Sequence, residues 1–150
     1  MSKKTFKRVV FILFFIYCAA LAFVLFFPNL HRSPVAARRY NLIPFETVAG
    51  LISRLFEGTI NPDIVIRNIG VNILLFMPMG AFLPILFNKL GKLWKTVLVC
   101  FAAVVLAEAV QLIFILGSFD VDDIILNTSG AAIGYGIVSI PALKRILIRN

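Results

Sequence analysis

A chain of 150 residues that is 61% hydrophobic, with a mean hydropathy of +0.99, carries more apolar side chains than a soluble core of this size can bury. Lipid must supply much of its solvent. The formal net charge of +8 does not indicate a nucleic-acid binder, because Lys and Arg lie almost wholly between apolar runs and form neither a groove-reading helix nor an aromatic platform for bases.

The excess sits in four apolar runs, at about 9–27, 69–87, 97–116 and 124–143, each near the roughly 20 residues that cross hydrocarbon. They lack the period-2 alternation of barrel strands, and helices are the other element that satisfies its backbone within lipid. The sequence therefore predicts an all-α fold, a four-helix transmembrane bundle forming a single integral membrane domain over residues 1–150.

The first run follows Lys3, Lys4, Lys7 and Arg8. It is longer than the roughly 7–15 residues of a signal-peptide apolar region, so a membrane helix is expected rather than a segment cleaved near Val35, Ala36 and Ala37. Cys18 and Cys100 fall inside apolar runs and are expected to act as small buried hydrophobes.

In the loop that follows, the lone His31 lacks an evident Ser or Cys partner. Phe45, Val48, Ala49, Ile52, Leu55 and Phe56 recur at helical spacing opposite Glu46, Ser53, Arg54 and Glu57. This pattern predicts a short amphipathic helix lying on the outer membrane surface, ended by the breakers Gly58 and Pro62.

Arg67, Asn68 and Asn72 stand at the entrance of the second run, with the two Asn at i and i+4 expected on one inward face. Pro78 and Pro84 remove the usual donors to the carbonyls of Leu74 and Gly80, which predicts a kink or a local opening. Lys89, Lys92 and Lys95 follow in a short loop.

Glu108 is the one charged residue inside the four runs, and it shares a face with Gln111. It lies roughly 12 Å below the end of its run at about 1.5 Å per residue, where an unpaired carboxylate is costly. It needs a proton, a cation or a basic partner, and Arg67 is the nearest base by depth.

The loop over 117–123 has no Lys or Arg, and Asp120, Asp122 and Asp123 open the fourth run. Asp122 is assigned to helix capping, whereas Asp120 and Asp123 exceed what capping requires. Asp123, Asn127, Gly130 and Gly134 continue as one stripe, and the Gly130/Gly134 pair would let another helix approach closely, in this chain or in a homodimer. An EF-hand is excluded, because the required Gly and the terminal Glu are missing.

Basic residues flank the first run, fill the loop after the second and, as Lys144, Arg145 and Arg149, follow the fourth. The N- and C-termini are therefore expected in the cytoplasm. With that orientation Arg67, Asn72, Glu108, Gln111, Asp120, Asp123 and Asn127 converge at the outer end, and these seven are the expected ligand-binding set.

Four blocks occur in order: Asn41-Leu42-Ile43-Pro44-Phe45, the stretch 72–80, Glu108-Ala109-Val110-Gln111, and the stretch 119–130. On these blocks the chain resembles the VanZ-like family of small bacterial membrane proteins, the teicoplanin resistance protein-like family, over roughly 41–135. The resemblance implies a multi-pass protein of the bacterial cell membrane and a link to glycopeptide antibiotics, teicoplanin in particular. The family often has an Arg just before its last acidic block; here Leu116-Gly117-Ser118 stands there, leaving Arg67 or a first-loop Arg (Arg32, Arg38, Arg39 or Arg54) to substitute.

The leading expectation is a membrane module whose outward polar cleft binds an envelope lipid or a lipid-linked cell-wall precursor and so changes antibiotic access. A second is a metal-assisted intramembrane enzyme, with Mg²⁺ or Ca²⁺ held by Asp120, Asp123, Glu108 and amide oxygens. A third is a small ion-coupled transporter. HExxH, GxSxG and Walker sequences are absent, and no catalytic residue or cofactor is assigned.

Overall fold

The computed structural model describes residues 2–27 and 40–147. His31, Arg32, Arg38, Arg39, Arg149 and the small residues Val35, Ala36 and Ala37 lie outside the described residues.

Helix α1 (Lys3–Phe26) begins at Ser2, whose hydroxyl accepts from the Thr5 amide in a weak N-cap. A two-residue strand β1 (Tyr40–Asn41) leads to α2 (Glu46–Phe56). Next comes α3 (Pro62–Val65), which runs through a π-helical turn (Ile66–Gly70) into α4 (Val71–Leu86). A 3₁₀ turn at Asn88–Leu90 reverses the chain into α5 (Leu93–Ile113). Strand β2 (Phe119–Asp120), α6 (Val121–Ser139) and α7 (Pro141–Leu147) complete the order.

The fold is nearly all α, as expected. Among the described residues, three helices are long and apolar enough to cross a membrane: Lys4–Phe26, Pro62–Leu86 and Leu93–Ile113. Their outer faces carry Phe15, Leu74 and Leu106, all well exposed, which suits contact with acyl chains rather than water. α6 falls outside this group, because Asp122, Asp123, Asn127 and a run of small residues dilute its hydropathy.

Two of the boundaries that differ from the hydropathy runs have a proline as their cause. The second helix begins at Pro62, which suits a first helical position because it lacks an N–H, so the polar residues Arg67 and Asn68 sit within it rather than before it. The fourth run is cut at Ile140, which is extended (ψ 131°) ahead of Pro141. A residue preceding proline is driven out of the helical region.

α4 and α6 make the closest pairing, and three glycines explain it. A Cβ on Gly130 would stand 1.9 Å from the Ile73 carbonyl oxygen, one on Gly134 1.9 Å from that of Met77, and one on Gly80 1.9 Å from that of Ala131. The face that the sequence offered to another helix, in this chain or a second copy, is packed here against α4 of the same chain. Leu21, Phe76, Leu83, Cys100, Val104, Ile124 and Ala131 fill the space between α1, α4, α5 and α6. Val10, Ile85 and Val138 form a smaller cluster toward one end.

α4 runs as one helix through Pro78 and Pro84. The Tyr17 hydroxyl donates to the Leu75 carbonyl at 2.6 Å, next to the carbonyl that the proline leaves without its donor. α5 ends in a Schellman motif, in which Leu116 N–H donates to Gln111 O at 2.8 Å and Ile115 N–H to Leu112 O at 3.3 Å. The left-handed position of that motif, usually glycine, is here Ile115 with φ 57°.

Candidate functional site

At the end of the bundle where α5 stops and α6 starts, two segments far apart in sequence are joined. β1 and β2 pair in parallel, matching Tyr40 with Phe119 and Asn41 with Asp120. Asn41 accepts from Ile43 N–H at 3.1 Å, shaping the turn before α2, and its amide donates to the Thr47 hydroxyl at 3.0 Å. That hydroxyl donates in turn to Asp120 Oδ2 at 2.6 Å.

α2 cannot cap itself, because its cap position is Phe45, held at φ 65° with no oxygen in its side chain. The cap comes from Asp122. Its Oδ1 accepts from Phe45 N–H and its Oδ2 from Val48 N–H at 2.9 Å, so one carboxylate satisfies two donors at the helix start and complements the dipole. Asp122 is 1% exposed. The expectation that it caps its own helix is corrected: Asp120 is the N-cap of α6, accepting from Asp122 N–H at 2.8 Å, and Asp122 caps α2 across the fold.

The remaining expected residues gather around this clasp. Glu108, buried on α5, accepts from Asp120 N–H at 3.3 Å. Asp123 accepts from the Asn72 amide, bridging α6 to α4. Asn127 is 3% exposed and donates to Asp123 O at 2.7 Å, while its own Oδ1 is buried without a hydrogen-bond partner. Gln111 is buried too, but its amide donates to Leu25 O at 2.9 Å and so ties α5 to the end of α1 rather than to the acids.

Arg67 departs from the expectation. Its side chain is exposed and makes no hydrogen bond or ion pair among the described residues. Asn68 is exposed as well, donating to Ile64 O at 2.7 Å on its own helix. The cause is the π turn over Ile66–Gly70, whose wider winding shifts the phase between Asn68 and Asn72 and leaves Asn72 alone facing the acids. Arg54 likewise bonds Gly50 O at 3.1 Å on its own helix.

Asn41, Thr47 and Asp122 build this geometry and are not among the site residues expected from sequence. One signal could have found them: a helix preceded by Phe45 instead of Ser, Thr, Asp or Asn must borrow its cap. Among the described residues, no three His, Cys, Asp or Glu side chains are placed to share a metal ion. The acids meet amides, a hydroxyl and backbone N–H groups, a donor set that orders carboxylates without leaving them arranged as a metal cradle.

Apolar spans, a glycine-seamed helix pair and an acidic clasp joining two loop segments define a small α-helical membrane protein. The sequence profile of VanZ/LLP1 matches residues 14–144, and the chain belongs to that family. It is 35% identical over 69 residues to Protein VanZ of Enterococcus faecium, a match covering 44% of this chain and 42% of that protein. The chain thus spans less than half the length of the curated relative it matches. No solved structure matches it.

Proposed function

We propose that this chain crosses the bacterial cell membrane four times, with α6 as the fourth crossing and both termini cytoplasmic. The acidic end then faces outward, α2 lies on the outer surface, and the polar cleft there binds an envelope lipid or a lipid-linked cell-wall precursor. By holding that component the protein changes access of glycopeptides such as teicoplanin to the surface. The similarity to Protein VanZ supports this class of role.

One observation carries the proposal. Glu108, Asp120, Asp123 and Asn127 concentrate acceptor oxygens at one end, Asn127 Oδ1 is unpartnered, and no Lys or Arg side chain bonds them among the described residues. Acceptors in this excess favour a ligand rich in donors, such as sugar hydroxyls, peptide amides or an amine, attached to a membrane anchor. Strain points the same way: both non-glycine residues with positive φ among those described, Phe45 and Ile115, lie on segments that close this end.

The test uses Glu108→Gln and Asp123→Asn, because Asp120 and Asp122 also hold the fold. Lipids that co-purify with wild type should be identified by mass spectrometry, and each variant should retain the enriched species roughly tenfold less, the loss of about one hydrogen bond to the ligand. Teicoplanin susceptibility of expressing cells should move in parallel. Retention of the same lipid by both variants would overturn the assignment.

A further inference from the structure

The opposite end of the bundle holds a second feature. Packing of Val10 against Ile85 places the start of α1 beside the end of α4. There a groove of about 400 Å³ is lined by Lys7, Arg8, Phe11, Ile12, Leu86 and Phe87. Lys7, Arg8, Phe11 and Ile12 stand at helical spacing on one face of α1. Phe87 closes the groove because it leaves the helix there, at φ −119° and ψ 102°.

We propose that this groove binds one anionic phospholipid, with its phosphate between Lys7 and Arg8 and an acyl chain along Phe11, Ile12, Leu86 and Phe87. Charge complementarity selects the headgroup. All seven acidic residues of the chain lie between Glu46 and Asp123, on or beside α2, α3, the last turns of α5 and the first turns of α6. None is at this end, and neither Lys7 nor Arg8 makes a hydrogen bond or ion pair among the described residues. No Asp or Glu side chain of the chain is therefore placed to neutralise this pair.

The lining selects a lipid over a soluble anion. Phe11 is 55%, Ile12 58% and Phe87 45% exposed, so a small phosphate would leave these side chains uncovered, whereas an acyl chain covers them. The inference rests on neither the ligand of the acidic end nor the orientation of the chain.

Native mass spectrometry of the full chain, with equimolar phosphatidylglycerol and phosphatidylcholine of the same acyl length, tests it. Wild type should retain phosphatidylglycerol at least roughly fivefold over phosphatidylcholine, the effect of about one cation near a headgroup. Lys7→Gln with Arg8→Gln should fall to near parity. Lys92→Gln with Lys95→Gln, which removes the same charge from the same end, should keep the preference. Ile12→Trp, which fills the groove, should lower retention of both lipids, and Lys7→Arg with Arg8→Lys should preserve wild-type behaviour. Parity in wild type, equal loss in the Lys92/Lys95 pair, or unchanged retention in Ile12→Trp would each overturn the proposal.

Discussion

Asp122 shows how much one side chain at this end holds in place. Its two oxygens receive the amides of Phe45 and Val48, and it is nearly inaccessible. Asp122→Asn should fail almost as badly as Asp122→Ala, because an amide can accept from one of these donors but turns an N–H toward the other. Each substitution is expected to lower stability by roughly 2–4 kcal/mol, the scale of two charge-assisted hydrogen bonds with buried donors left over. Thermal unfolding in detergent should show this, together with faster proteolysis within α2. An unchanged midpoint with α2 still protected would sink the capping role. Sequence alone marks Asp122 as a cap but assigns it to the wrong helix, since nothing local reveals a partner 74–77 positions away.

At the scale of elements, hydropathy makes the spans legible because burial in lipid acts on whole helices, but it is blind to where a backbone turns. The start at Pro62, the π turn that turns Arg67 and Asn68 outward, and the break before Pro141 are dihedral events inside or beside apolar stretches. The β1–β2 pairing is two residues long and carries no periodic signal. The glycine stripe was legible as a place of close approach, yet its partner was not, because a GxxxG specifies contact distance and not which helix arrives. Substitutions along α6 separate these roles. Gly130→Ala puts a methyl group 1.9 Å from a carbonyl oxygen of α4 and should destabilise the chain by roughly 2–3 kcal/mol, since the two helices must move apart. Gly136 has nothing within 4 Å of its added Cβ, so Gly136→Ala should be neutral or stabilise by up to about 1 kcal/mol through helix propensity. Equal thermal midpoints for the two variants would show that the α4–α6 seam is looser than this geometry requires.

Across the whole molecule, charge is divided between two ends: the described residues of one end carry the acids, and those of the other carry Lys4, Lys7, Arg8, Lys89, Lys92 and Lys95. A bilayer with positive charge retained in the cytoplasm orients such a molecule in one way, and α6 completes an even number of crossings only if its diluted hydropathy is offset by the seam with α4. Single cysteines at Ser118, Lys92 and Lys144 test both points. Cys18→Ala provides the background, while Cys100 stays, because it is 0% exposed and its removal would hollow the core. In intact cells a membrane-impermeant maleimide should label position 118 and should reach 92 and 144 only after permeabilisation. Labelling of 92 from outside would invert the orientation and place the acidic end in the cytoplasm, away from the extracellular ligand proposed for it. Labelling of 118 and 144 from the same side would show that α6 does not cross, although it packs along α4 from one end of the bundle to the other.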